Sequence, residues 1–546
     1  MTQWIQNYNP LGNAWLSTII AAVPVVVLFY LLAVQKILAH RAAIAGFLAA
    51  VVIAGTVFRM PWTMVGGAVA SGLVFGFIRI AWVLVAAVFV YEITVETGHF
   101  EVIKESIGGL TGDRRLQVLL IAFAFGAVLE GSGGGGAPVA IAGAMMVGLG
   151  FNPFSAAVLC LIANTAPVAF GGVGNPIRTL VAVTTLHDAD ISAMVGRILP
   201  WTALILPLWL IRSMTNWRAT ISVWPAALAC GGVFAAIQFY WSNFRDSALV
   251  DIVGGMATLV ALALFFKIWK PREIWHYPDE PPPAKLRRHK PLAVLHAWSP
   301  FLLLSLFVIL GGAPDILRVL DKTNLELPVP GLHQQVMRVA PVVDKPHSMP
   351  AVFDFAWLSN PGTATFLAGL LSGPLLGLSF AKTLRIFFRT CYRMRFSVAA
   401  IMAMLGLGFV IRYCGMDAVM GLAMTHTGVA YPFFGTMLGW LGVSLSGTDA
   451  GSNALFGSLQ QITANRLGLS PVLMAAANSA GGVMGKMIAA QSIIVAAAAV
   501  GQEGKEGDMF RAVLPHSLAL AAIVGLIVCF YAYFGQAWVP MGRVWG

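Results

Sequence analysis

Charged side chains are scarce in this chain of 546 residues: Asp, Glu, Lys and Arg together make up only 10%. An ordinary soluble domain carries about 25%, so the composition excludes a water-soluble globular protein. Acidic residues are in further deficit, 23 against 34 basic, for a net charge of +11. That surplus does not indicate nucleic acid, because the basic residues cluster in short loops between apolar runs, as the positive-inside rule requires. Cysteine is also rare. The five (Cys160, Cys230, Cys391, Cys414, Cys529) have no metal-type spacing and lie in or beside apolar runs, as packing residues do. There is no G-x-x-x-x-G-K-[ST] and no G-x-S-x-G, and the glycine run 133–136 has no Lys-Ser or Lys-Thr after it. A phosphate loop is therefore absent. These gaps argue against an ATP-driven pump and against an enzyme, and no cofactor is expected.

Hydrophobic residues make up 58% of the chain, and the mean hydropathy is +0.81. Apolar runs at 15–34, 42–58, 81–95, 198–211, 223–240, 250–266, 301–311 and 514–534, taken with their flanks, are long enough to span a bilayer. About 20 residues cross a ~30 Å hydrocarbon core. The expected fold is an all-α polytopic membrane protein with roughly 12 to 14 transmembrane helices. The N-terminal segment, 1–13, is polar and uncharged and lacks the basic region of a removed signal peptide.

Two basic loops set the expected topology. The first, 267–292, carries Lys267, Lys270, Arg272, Lys285, Arg287, Arg288 and Lys290 around Pro281-Pro282-Pro283. It reads as a cytoplasmic linker between a first transmembrane half, 1–266, and a second, 293–546. The other basic loop carries Lys382, Arg385, Arg389, Arg393 and Arg395. Between them the charge-balanced segment 313–361 reads as a small extracytoplasmic cap.

The halves share a pattern. Asn164-Thr165-Ala166, then Gly171-Gly172-Val173, returns as Asn478-Ser479-Ala480-Gly481-Gly482-Val483. Gly98 matches Gly415; Leu129, Gly131 and Ser132 match Leu445, Gly447 and Thr448; Gly150-Phe151-Asn152-Pro153 matches Gly468-Leu469-Ser470-Pro471. The offset holds between 314 and 318 from Gly98 to Asn164, which indicates a duplication with core repeats at about 98–178 and 415–493. Loop charge places Gly98 on the cytoplasmic side and Gly415 outside, so the repeats are expected to be inverted. Inverted repeats bring broken segments together near the midplane in secondary transporters.

Each repeat offers two irregular elements. The glycine-rich stretches 130–138 and 446–453 have the composition of re-entrant hairpin tips. Irregular backbone at membrane depth survives only when buried or lining a cavity; close packing of small residues is the alternative. The second element is the Asn-Thr/Ser break, interrupted by Pro167, Gly171, Gly172 and Gly174 in one copy and by Gly481, Gly482 and Gly485 in the other. Free N–H groups at a broken helix suit a carboxylate. Glu130, Asp449 and Lys486 lie at or beside these elements, and intramembrane charge costs about 2.5–3.5 kcal/mol even on a lenient scale. Lys486 suits an anion and Glu130 and Asp449 suit a proton, unless Lys486 and Asp449 simply pair. Arg178 is a second anion candidate; Arg79 and Glu92 fit a membrane interface. His187, Asp188 and Asp190 resemble a metal cluster but occupy a short connecting loop, where a solvated turn is expected.

At these residues the chain resembles the L-lactate permease family. The resemblance begins at Trp4, Gln6-Asn7-Tyr8, Pro10, Gly12-Asn13 and Trp15-Leu16-Ser17. It continues through Glu130-Gly131, Gly136-Ala137-Pro138-Val139-Ala140 and 164–171, and returns at Gly447, Asp449, 452–456, Ala477-Asn478, 481–483, 485–488 and Gln491-Ser492. It implies a secondary transporter in a bacterial inner membrane that imports lactate, glycolate and related 2-hydroxy monocarboxylates by proton symport. The expected substrate site comprises Ser132, Gly134, Gly135, Asn164, Thr165, Ser452, Asn453, Asn478, Ser479, Lys486 and Gln491, with proton coupling at Glu130 and Asp449. The partners are substrate, protons and lipid bilayer. Gly135 stands where the family has an aromatic, Ala489-Ala490 where it has Ser-Pro, and Asn175 where it has an apolar residue, which leaves the preferred hydroxy acid open. A sodium-coupled carrier or exchanger of another organic anion is the alternative.

Overall fold

A computed structural model describes residues 3–31, 35, 37–133, 137–277, 289–343 and 345–540. The membrane part is all helical. Eight described helices are long and apolar enough to cross a bilayer, or ten if two bent pairs each count as one span. This is fewer than the 12 to 14 expected from apolar runs. Several runs build helices of 10–17 residues instead, at Ala14–Phe29, His40–Thr56 and Pro138–Gly148.

The helices that position the site are α1 (Ala14–Phe29), α2 (Ala39–Thr56), α3 (Trp62–Glu96), α4 (His99–Gly108), α5 (Arg114–Gly133), α6 (Ala137–Gly148), α7 (Pro153–Ala163), α8 (Gly171–Thr184), α9 (Asp188–Met214), α10 (Trp224–Phe244) and α11 (Val250–Ile268). The second half adds α12 (Pro291–Gly312), α13 (Pro361–Leu375), α14 (Phe380–Cys414), α15 (Met416–Met424), α16 (Tyr431–Ser446), α17 (Asp449–Leu467), α18 (Pro471–Gly485), α19 (Ala490–Ala499) and α20 (Glu506–Tyr533).

The order from α3 to α9 repeats from α14 to α20. Each copy runs from a long helix through a glycine turn to a short helix, a helical hairpin, a capped helix, a break and a last long helix. The turns are Gly98 at φ +73° and Gly415 at φ +89°, the left-handed conformation that glycine adopts at helix ends without a Cβ penalty. The matched quartets also do matched work. Asn152 caps α7 by accepting from the Ser155 amide, Ser470 caps α18 by accepting from the Leu473 amide, and a proline follows each cap.

The copies are inverted relative to each other. Beyond Gly98 the His99 ring meets His296 edge-on at 5.0 Å, and Arg115 donates to the Glu273 carbonyl; Glu273 lies in the basic linker and His296 just after it. Gly415 lies instead against Gln6, whose amide donates to the Arg412 and Tyr413 carbonyls. Gln6 follows β1 (Trp4–Ile5), which pairs with the cap. The cap forms a three-stranded sheet β1-β3-β4, with β3 at Val336–Arg338 and β4 at His347–Ser348, and a two-stranded sheet of β2 (Leu325–Pro328) and β5 (Val352–Phe355). Arg338 of β3 pairs with the fully buried Asp417 of α15 at 3.1 Å, and Ser458 of α17 donates to the same carboxylate. The 22 residues of α12 separate linker side from cap side by ~33 Å.

Candidate functional site

The first hairpin arm meets the first break where Glu130 stands against Gly171, and the second hairpin tip meets the second break where Lys486 donates to Gly447. The second tip is well defined: α16 ends at Ser446, Gly447 takes φ +79°, and Thr448 caps α17 by accepting from the Gly451 amide. The first tip is bracketed by Gly133 and Ala137; Gly134 and Gly135 lie outside the described residues. A cavity of about 1360 Å³ leads inward from the linker side. Glu92, Arg393, Ser132, Thr448 and Gln491 are among the residues that line it.

The first break spans Asn164 to Gly174. The pair Pro153–Ala163 and Val168–Thr184 bends by 63°. Gly172, Val173 and Gly174 are all left-handed, at φ +53°, +57° and +76°. A β-branched residue in that region is a genuine outlier, and such strain collects where function over-determines the backbone.

The second break differs from the sequence expectation. Helix α18 runs unbroken through Gly481 and Gly482 to Gly485, and the 42° bend falls at Lys486 to Ala489. These glycines serve packing. A Cβ on Gly481 would lie 2.1 Å from the Thr436 carbonyl oxygen, and one on Gly485 2.2 Å from that of Trp440. Helix α16 thus comes close enough to offset their poor helix propensity, about 1 kcal/mol each.

The repeated Gly-Gly pair has a second consequence. A Cβ on Gly482 would sit 2.4 Å from Asp449 Oδ1, and one on Gly171 2.8 Å from Glu130 Oε1. In each half, a glycine of the duplicated pattern makes room for one buried carboxyl. Asp449 Oδ2 accepts from the Ser479 hydroxyl and, at 3.3 Å, from the Asn453 amide. Asn453 accepts from Asn478 at 2.9 Å and donates to the Pro176 carbonyl of the opposite repeat at 3.2 Å. Asn478 also donates to Ser452 Oγ at 3.4 Å and accepts from Gln460 at 3.1 Å. Lys486 Nζ donates to the Gly447 carbonyl at 2.7 Å. Glu130 and Asp449 are the charges that bear on it, neither within ion-pair distance among the described residues, so it is not locked in a simple pair with Asp449.

Other expected residues are less engaged. Among the described residues Ser132 donates only to the Val128 carbonyl of its own helix at 2.6 Å, and Thr165, in the first break, only to the Ile162 carbonyl of α7 at 2.8 Å. Asn164 is buried beside Glu130 with both amide atoms lacking a well-formed hydrogen bond. The Gln491 side chain lies over Gly447, where a Cβ would meet its Oε1 at 2.6 Å. Asn175 is buried and reaches the Ile80 carbonyl at 3.5 Å.

The outlying candidates separate from this cluster. Arg178 lies towards the cap, its charge felt by Arg79 and Asp188. Arg79 pairs with Asp354 of the cap at 3.5 Å, while Glu92 pairs with Arg393; the basic run Lys382 to Arg395, expected as a loop, is helical and forms part of α14. Asp188 is part-buried at the start of α9, where Ser247 donates to it; the turn is therefore not simply solvated. No group of three His, Cys, Asp or Glu among the described residues could hold a metal ion.

Sequence reading missed Asp251, Gln238 and Gln460. Asp251 is fully buried, with neither carboxyl oxygen hydrogen-bonded among the described residues. Its signal was present: a lone acid at the start of the apolar run 250–266. Gln238 donates to the Ala166 carbonyl of the first break at 3.2 Å, and Gln460 holds Asn478.

A sequence profile of the family described as L-lactate permease matches residues 17–535. The chain is 42% identical to the glycolate permease GlcA of Escherichia coli (strain K12), over 98% of this chain and 99% of that protein. It is also 42% identical to the L-lactate permease of Salmonella typhi, over 99% of this chain and all of that one. The L-lactate permease of Bacillus subtilis (strain 168) is 39% identical over 98% of this chain and all of its own length. The solved structure of the Alcanivorax borkumensis YdaH transporter covers 86% of this chain and 89% of its own, with a TM-score of 0.45 and 14% identity. This chain, then, belongs to the L-lactate permease family: it is a multi-pass membrane transporter, not an enzyme.

Proposed function

We propose that this protein imports lactate, glycolate and related 2-hydroxy monocarboxylates across a bacterial inner membrane by proton symport. One observation carries the reading: two buried carboxyls, Glu130 and Asp449, bear on a single buried ammonium, Lys486, between the hairpin tips and the breaks. Buried charge must be balanced. In the empty site one carboxylate offsets Lys486 and the other acid holds a proton. A substrate carboxylate at Lys486 adds one negative charge, so the remaining acid takes up a proton. The loaded carrier is then neutral. This matters because moving an unaccompanied anion inward against ~100 mV costs about 2.3 kcal/mol.

In this reading the amide and hydroxyl groups of Asn164, Asn453, Asn478, Ser452 and Ser479 supply donors and acceptors for the substrate hydroxyl and carboxylate. Ser132, Thr165 and Gln491 shape the approach from the cavity. The basic linker faces the cytoplasm, and the present cavity is the inward-open one.

The test is uptake of labelled L-lactate into liposomes holding the purified protein. An inward pH gradient should drive accumulation without sodium, and glycolate and D-lactate should compete. Strict dependence on a sodium gradient would sink the proton reading. Failure of every 2-hydroxy acid to compete would sink the substrate class.

A further inference from the structure

The charge balance above leaves Asp251 unused. It sits in the first turn of α11, fully buried, with both oxygens unpartnered among the described residues. It is also beside the site: a Cβ added to Gly131 would lie 2.9 Å from Asp251 Cβ. Gly131 thus lets the first hairpin arm press against α11 where the two acids stand. Their depths agree. Glu130 is 16 residues beyond Arg114 and Asp251 is 17 before Ile268, which puts each ~25 Å from the linker side. Among the elements packed on α11, Glu130 is the charged group that bears on Asp251.

The segment just before Asp251 leads towards the cap. Asp246 lies by Gly312, the cap-side end of α12, with an oxygen 3.4 Å from where that glycine's Cβ would be. Ser247 donates to Asp188, and both Asp246 and Asp188 are part-exposed. Asp246 and Asp188, whose charges bear on each other, thus stand partly wet on the cap side, Asp246 five residues before the dry Asp251, on which Glu130 bears in turn. The substrate cavity approaches from the opposite side, past Glu92 and Arg393.

We propose that Asp251 is a second proton-carrying carboxyl, which supplies Glu130 from the cap side along a route separate from the substrate's. Among the described residues no ammonium offsets Asp251, so it rests as the neutral acid. When Glu130 is ionised, the Asp251 O–H bond breaks and an O–H bond forms on Glu130. Asp251 is left as a carboxylate and regains its proton from cap-side water by way of Asp246 and Asp188. No electrons are transferred and no further reactant is needed.

The proposal rests on proton symport, and the experiment separates the two. The full-length protein in liposomes is assayed for pH-driven lactate uptake and for counterflow at equal pH. The Asp251→Asn variant should lose at least tenfold in pH-driven uptake while counterflow falls far less, and its uptake should lose the wild-type pH dependence. Equal loss of both activities, or undiminished pH-driven uptake, overturns the proposal. Should Asp251→Asn fail to fold, the double variant Asp188→Asn/Asp246→Asn decides: pH-driven uptake slowed severalfold against counterflow supports the route, and an unchanged ratio overturns it. If the wild-type protein itself ignores a pH gradient, symport fails instead.

Discussion

The glycines of the duplicated pattern give a test whose size follows from geometry. In Gly482→Ala the new Cβ would stand 2.4 Å from Asp449 Oδ1 and 2.7 Å from Val443 Cγ2, inside the 3.0 Å floor for such contacts. Asp449 must retreat by about 0.6 Å or more, which loosens its bonds from Ser479 and Asn453. Overpacking of this kind costs about 1–3 kcal/mol, and alanine returns about 1 kcal/mol of helix propensity. The net penalty is about 0–2 kcal/mol, which corresponds to a loss of up to roughly 30-fold in transport efficiency. Gly171→Ala makes the parallel test on Glu130 Oε1 at 2.8 Å, without backbone strain because its φ is −62°. Gly507→Ala, with nothing within 4 Å of its Cβ, is the control and should transport normally. The assay is concentration-dependent lactate uptake by each variant, alongside its thermal unfolding midpoint. Wild-type kinetics in both Gly482→Ala and Gly171→Ala would refute the claim that these glycines exist to seat the carboxyls.

Lys486→Met should weaken apparent lactate affinity by tenfold or more in competition assays; unchanged affinity would leave Lys486 a purely structural donor to Gly447. Arg338→Ala strips the ion partner from fully buried Asp417, a change that costs about 3–5 kcal/mol. It should lower the unfolding midpoint in detergent, and adding Asp417→Asn should restore much of the loss. Asn478→Ala leaves Asn453 and Gln460 without their shared amide, at about 1–3 kcal/mol, and should impair uptake more than it lowers protein yield.

Local chemistry was the legible part. A left-handed glycine, a capping Asn or Ser before proline and a glycine-rich tip each act within a few residues, so their recurrence at a near-constant offset carried the duplication, and loop charge carried its inversion. Long-range compensation was not legible. Gly481 and Gly482 read as a break because glycine is costly in an isolated helix, yet the close approach of α16 supports them and moves the bend to Lys486–Ala489. The span count of 12 to 14 was higher than the eight to ten helices long enough to cross, because apolar runs such as Ala14–Phe29 build helices shorter than 18 residues. The small cap sheets rest on two- to four-residue strands, too short for periodicity, and one pairing joins Trp4 to Val336. Asp251 escaped because no repeat partner drew attention to it.

The left-handed turn at Gly172–Gly174 limits how the carrier can move. Glycine accepts that handedness freely, but at Val173 it stores about 1–2 kcal/mol. Converting the turn to ordinary helix requires three consecutive residues to reverse the sign of φ, a concerted change rather than a gradual flexing. The first break therefore behaves as a stiff elbow: it keeps its angle while Glu130 and Asn164 are carried with it. Bending during transport then falls to other joints, and the pocket travels as a preformed unit instead of being rebuilt in each cycle.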